Sequence, residues 1–171
     1  ARGVLLERGF MRTAINPALE RLPFRMRSDE ARVMLLAIGL QESEFVYRRQ
    51  QPTGPARGLW QFELGDLKTR GGVTGVLTHH ISGPILRGFC IARGTPAAAN
   101  PIYDALEHDY VLAAACARLL LWTDPLKMPD INDGDSAWSL YLRTWRPGKP
   151  RPRHWPKNHR KAAEAVQLAR A

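Results

Sequence analysis

Apolar residues recur at spacings of three and four in several segments, whereas two-residue alternation is brief and scattered. That pattern predicts a mainly α protein. The strongest segment, "ARVMLLAIGLQESEF" at 31–45, is nearly unbroken apolar before it turns acidic. Leu35, Ile38, Glu42 and Phe45 share one stripe of a helix, and Val33, Ala37, Leu40 and Glu44 share another. Both stripes are apolar ahead of the glutamates, so the expected element is a buried central helix whose last turn carries acid. Ser28 supplies a hydroxyl cap, and Asp29 and Glu30 place acids in the first turn, where the helix dipole favours them. The helix is expected to end near Phe45 or Tyr47.

Other elements follow from punctuation. Asn16-Pro17 sets a capping residue before a proline and predicts a short helix over 16–21. From Gln50 to about Pro101, "PTGPARG", "RGGVTG" and "SGP" interrupt short apolar pieces, which predicts irregular structure forming a functional surface. A helix is expected over 104–122, ended by Asp124-Pro125, and another over 136–144 after the turn signal "DINDGDS". A basic, proline-rich stretch near 146–157 leads into a terminal helix. There are no repeats and no second-domain linker, so residues 1–171 read as one domain.

At 171 residues and 44% hydrophobic, the chain can bury a core without disulfide or metal staples. Cys90 and Cys116 lack a CxxC or Cys/His ligand spacing, so a reduced, buried pair is expected, with a disulfide left open. No apolar run reaches the roughly 18 residues of a membrane span. The chain opens at Ala1 rather than methionine, so the lack of a signal-peptide pattern says little about final location. Lysine and arginine total 25 against 16 acids, for a net charge of +9 and a pI near 10.2. That excess predicts a polyanionic partner, either nucleic acid or an envelope bearing acidic peptide stems and anionic polymers. A generally basic, arginine-rich composition is the plainer account.

Candidate chemistry begins at Glu42, one turn after Ile38 and two after Leu35. A carboxyl at the end of an apolar stripe loses hydration in its charged form, so its pKa should rise and it could act as a general acid. On position alone, a glutamate that simply ends a helix in solvent fits equally well. The run Glu42-Ser43-Glu44-Phe45, followed after a loop by Gly58-Leu59-Trp60-Gln61-Phe62, resembles the catalytic segment of lysozyme-like lytic transglycosylases. In that family a helix ends in Glu-Ser-x-Phe and a loop carries Gly-Leu-Met-Gln. The resemblance covers about 20 residues and departs at Trp60, where the family has methionine. It implies a lysozyme-like fold, Glu42 as acid and base, and a substrate-binding or glutamate-orienting role for Gln61. Ser43, Gly58 and Trp60 join the expected substrate-binding set, Trp60 by stacking on a sugar face. The stretch "AWSLYLRTWRPGKP" stands where the superfamily places Tyr-Asn-x-Gly, with Tyr141 the candidate equivalent although Leu142 replaces the asparagine, and Tyr141 and Trp145 join the expected substrate-binding set. The tyrosine of that motif hydrogen-bonds near the catalytic glutamate. The arrangement also looks like phage-encoded relatives that degrade walls or ride in the virion.

The implied reaction is cleavage of the MurNAc-GlcNAc bond of peptidoglycan glycan strands, in the periplasm or at the cell wall, by a monomer without cofactor. Attack by the muramic 6-hydroxyl gives a 1,6-anhydro end, and attack by water gives lysozyme-type hydrolysis. Among other carboxylates, Glu44 is expected to pair with Arg48 at the surface. Glu63 and Asp66 follow the Gln61 loop, though nothing in the sequence aims them at a cleft, and Asp130, Asp133 and Asp135 read as turn and cap residues. His79 and His80 have no partner at metal-ligand spacing, so no metal site is expected. Ser43 lacks a nucleophile-elbow pattern. A rival of another class is a binding or structural protein: "RPGKPRPRHWPKNHRK" interleaves cations with Trp155, which could stack a base beside phosphate contacts. An inactive phage component on the same fold is the related alternative.

Overall fold

The computed structural model describes residues 2–46 and 54–170, with side chains from Leu6 onward. The described residues form helices and no named strand, as the apolar spacing predicts. No helix among them is long and apolar enough to cross a membrane.

Helix α1 (Arg2–Phe10) runs through a π-helical turn (Met11–Ile15) directly into α2 (Asn16–Arg21). Asn16 is therefore not the expected cap. Its backbone is helical, its N–H reaches back to Met11 O, and its Oδ1 accepts from Arg32 Nε at 2.8 Å. Pro17 has no N–H to give the helix ladder, and the wide turn before it accommodates that loss. Met11, Ala14 and Ile15 on this turn are buried. A short 3-10 turn (Phe24–Met26) then leads to α3 (Asp29–Ser43), where Ser28 Oγ accepts the Ala31 N–H at 3.0 Å.

Every residue of α3 over 33–41 is buried. Each Leu or Ile fully removed from water contributes roughly 1.5–3 kcal/mol, so α3 is the element the core is built around. It stops at Ser43, short of the expected end. Glu44 and Phe45 both turn left-handed, at φ 56° and 57°, and the Phe45 ring folds back over Gly39. A Cβ on Gly39 would sit inside that ring. The ring also stacks on Phe10 with centroids 4.6 Å apart and meets Trp60 edge-on at 5.6 Å. Glu44 is left exposed at the helix end, and its expected partner Arg48 lies outside the described residues.

The stretch expected to be irregular holds three helices: α4 (Gly72–Thr78), α5 (Ser82–Arg93) and α6 (Ala99–Ala105). Their glycines were read as breaks but serve close packing. Cβ atoms at Gly75 and Gly83 would collide with the backbone carbonyls of Arg70 and Leu77. His79 Nδ1 accepts the N–H groups of Ile81 and Ser82 at 3.2 and 3.1 Å, so it caps the start of α5.

Helix α7 (Tyr110–Trp122) begins six residues later than the spacing suggested. Asp109 is its cap, accepting from Leu112 N at 3.0 Å while Arg93 binds both carboxylate oxygens at 2.8 and 2.7 Å. Residues 112–121 are all buried, including Arg118. Its Nε donates to Met26 O at 2.8 Å, and burial draws its pKa down to about 10. Helices α8 (Gly134–Trp145), capped by Asp133, and α9 (Trp155–Ala169) complete the fold, with α9 lying along α3. Cys90 and Cys116 are buried free thiols. The buried side chains form one connected cluster that reaches from Met11 to Val166.

Candidate active site

A cleft of about 960 Å³ opens where the end of α3, the 56–72 loop and the segment after α8 meet. Glu42, Gln61 and Trp145 line it together with Phe62 and Glu63 on one side and Arg146, Lys149 and Arg151 on another.

The loop is shaped by a short antiparallel bridge. Arg57 and Phe62 exchange backbone hydrogen bonds at 2.8 and 2.9 Å, closing a turn in which Gly58 (φ 76°) and Gln61 (φ 51°) are left-handed. Gly58 is there because a side chain would come within 2.6 Å of Leu106 O and would resist the positive φ. Gln61 Nε2 donates to Gly58 O at 3.0 Å, which fixes the amide at the cleft wall.

Glu42 emerges from the last turn of α3, half-buried. Tyr141 Oη donates to its Oε1 at 2.5 Å. The tyrosine ring is held flat against Trp155, with centroids 5.2 Å apart and planes 13° from parallel. Trp155 is in turn fixed by its Nε1 donating to Gly134 O at 2.9 Å. Loss of water from its charged form pushes the Glu42 carboxyl above its ordinary value of 4.5, and the charge of Glu63 adds to the rise. The Tyr141 hydroxyl and the Arg151 guanidinium oppose it. Burial, with Glu42 adjoining, pushes the Tyr141 hydroxyl well above its usual range, so it stays a donor at any ordinary pH. Burial favours the protonated form of Glu42 while Tyr141 fixes the carboxyl in place, so Glu42 can carry a proton at the cleft wall.

The residues singled out in the sequence divide into two groups. Glu42, Gln61, Tyr141 and Trp145 come together at the cleft or at the carboxylate. Ser43, Gly58 and Trp60 do not line it, and their expected contact with substrate is corrected by burial. Ser43 Oγ donates to Leu59 O at 2.5 Å, with Gly39 O a second acceptor at 3.2 Å, and accepts the Phe45 N–H at 3.1 Å. It clamps the helix end to the loop. Trp60 is fully buried, with its Nε1 donating to Leu35 O at 2.8 Å, so no face is open for a sugar. Trp145 Nε1 donates to Trp60 O at 2.9 Å, and its ring meets Phe62 edge-on at 5.7 Å. Trp155, expected as a base-stacking residue in the nucleic-acid reading, is only 3% exposed and packs in the interior.

Of the other carboxylates, Glu63 faces the cleft, while Asp66 is exposed and accepts from Thr69 N and Oγ1 at 2.7 and 3.0 Å. Among the described residues no group of three metal-capable side chains occurs. The contribution of Arg146, Lys149 and Arg151 was missed. The sequence shows them only as part of a basic run, and nothing local says that the run turns back along the cleft. No family model, curated protein or solved structure matches this chain.

Proposed function

We propose that this protein is a peptidoglycan-cleaving glycosidase on a lysozyme-like fold, acting as a lytic transglycosylase on the bond between N-acetylmuramic acid and N-acetylglucosamine. The observation that carries the reading is the Tyr141 hydroxyl 2.5 Å from Glu42, at the dry end of a buried helix and on the wall of a cleft. In the first step Glu42 gives its proton to the glycosidic oxygen as the C1–O bond breaks, through an oxocarbenium-like transition state. The substrate's acetamido group stabilises the cation. In the second step the carboxylate takes the proton of the muramic 6-hydroxyl as that oxygen bonds to C1, closing the 1,6-anhydro ring. Tyr141 keeps the carboxyl aimed through both steps.

Glu63 favours a second reading, lysozyme-type hydrolysis, because a second carboxylate on the cleft wall could position water. The setting that suits either reaction is a bacterial cell wall attacked by a phage-encoded protein. Mass spectrometry of soluble products from purified peptidoglycan, with wild type and Glu42→Gln, tests the reading. Glu42-dependent anhydromuramic ends support transglycosylation, and reducing ends support hydrolysis. No products from wild type on several wall types would refute both and leave a structural or wall-binding role.

A further inference from the structure

We propose that Gln41 and Asn158 are positioning residues that hold the Arg151 guanidinium on the end of α3 and off the Glu42 carboxyl, so that Glu42 is left to act as the acid. The inference rests on the glycosidase reading and assigns residues that serve its acid through Arg151.

The end of α3 leaves a carbonyl that Arg151 takes up. In a continuing helix Gln41 O would accept from the N–H of Phe45, four residues on. Phe45 turns left-handed, and its N–H goes to Ser43 Oγ at 3.1 Å instead. Arg151 Nη2 donates to Gln41 O at 2.6 Å, which sets a cation at the negative end of the helix dipole. The Gln41 side chain fixes the backbone of the same arginine. Its Nε2 donates to Arg151 O at 2.9 Å, and its Oε1 accepts from Asn158 Nδ2 of α9 at 2.8 Å. Gln41 is only 3% exposed, and a buried amide bonded at both ends is held in one orientation. Arg151 is thus gripped by side chain and backbone together.

The grip matters because Glu42 is the next residue. Arg151 lines the same cleft as Glu42 and attracts its charged form. Among the described residues, however, no ion pair joins the two. The other groups that act on Glu42 are Tyr141 of α8 and Glu63 of the loop, with Arg146 and Lys149 elsewhere on the cleft lining. Arg32, Arg93, Arg143 and Arg170 each meet an aspartate, and an unrestrained Arg151 would close on Glu42 in the same way. A carboxyl in contact with arginine gives up its proton about tenfold more readily, which would make Glu42 a poor acid. Held at a distance, the cation still eases the arrival of negative charge on Glu42 as the proton leaves.

The experiment records pH profiles of kcat/KM on soluble glycan chains, and the carboxyl-carbon NMR titration of Glu42, for wild type, Gln41→Met, Asn158→Ala, Arg151→Met and Gln41→Met/Arg151→Met, each shown to be folded by thermal unfolding. Gln41→Met should move the alkaline limb and the titration to lower pH, with about a tenfold loss of rate above the limb and little below it. Asn158→Ala should move both the same way by less. Arg151→Met should move them to higher pH, and the double variant should match Arg151→Met, because Gln41 then has no cation to hold. A purely structural Gln41 would lower the rate equally at every pH, and that result would overturn the proposal. A double variant that keeps the Gln41→Met shift would do the same. If Gln41→Met does not fold, a Glu42 titration unmoved in both Asn158→Ala and Arg151→Met would overturn it. Absence of cleavage by wild type would overturn the glycosidase and this role with it.

Discussion

Replacing Glu42 with glutamine separates the charge of this residue from its shape. The amide oxygen can still accept the Tyr141 hydroxyl, and the new N–H₂ faces the cleft and its water. What disappears is a carboxylate held in a poorly hydrated place. Burial is the largest influence on Glu42, with Tyr141 and Arg151 only partly offsetting it. A folded-state pKa above the unfolded value means that the unfolded chain releases this proton first as pH rises. Stability is then untouched below the ordinary value of 4.5 and falls as pH climbs through the folded pKa. Each unit of rise corresponds to about 1.4 kcal/mol, and solvent at the cleft mouth reduces that. Glu42→Gln should therefore be more stable than wild type above the folded pKa, with a raised Tm there and no rise below 4.5. Thermal unfolding of both proteins across a pH series should give coincident curves near about pH 3.5 and a growing gap toward about pH 8. Cleavage should be lost at every pH. A variant that is less stable at neutral pH, or a gap that does not change with pH, would refute the claim that this carboxyl is desolvated.

Three further outcomes follow from the same geometry. Tyr141→Phe removes a hydrogen bond that favours ionised Glu42, so the alkaline limb of the pH–rate profile should move to higher pH. Its kcat should fall by about 10–100-fold from loss of aim, and an unshifted limb would mean that the hydroxyl does not act on Glu42. Gly39→Ala forces a methyl into the Phe45 ring. The cost of about 1–3 kcal/mol should outweigh the gain of roughly 1 kcal/mol from removing a helical glycine, and a raised urea midpoint would contradict this. Trp60→Phe deletes the bond to Leu35 O in a filled core and should lose about 1–3 kcal/mol in urea unfolding with KM unchanged. A weakened KM with intact stability would instead place Trp60 on the substrate.

Local signals carried the parts of this fold that depend on neighbours in sequence. Ser28 capping, the burial of α3 and the arrival of Glu42 at its end all follow from residues within a few turns of one another. The same holds for the Asp-rich start of α8 and for the terminal helix. The end of α3 was misjudged because Phe45 has the right spacing to extend an apolar stripe. Only the gap at Gly39 and the rings of Phe10 and Trp60 show why it folds back. Helices α4 to α6 were hidden by glycines that look like turns until the carbonyls packed against them are known. Trp60 reads as a surface aromatic in a glycine loop, yet the core takes it in. At the site, the carboxylate and its tyrosine were legible through resemblance. The cationic segment was not, because Gln41 and Arg151 stand 110 positions apart and no local rule joins them.

That separation bears on how the protein is made. Glu42 and Tyr141 lie 99 positions apart, and the ring of Tyr141 rests on Trp155 from α9. Glu42, Tyr141 and Trp155 must all have left the ribosome before the carboxylate is held by its donor, and loops this long close late in folding. A chain cut before Trp155 would keep most of its core residues and still lack the surface that holds Tyr141. The order of synthesis thus acts as a delay, and Tyr141 cannot be held against Glu42 until α9 has docked.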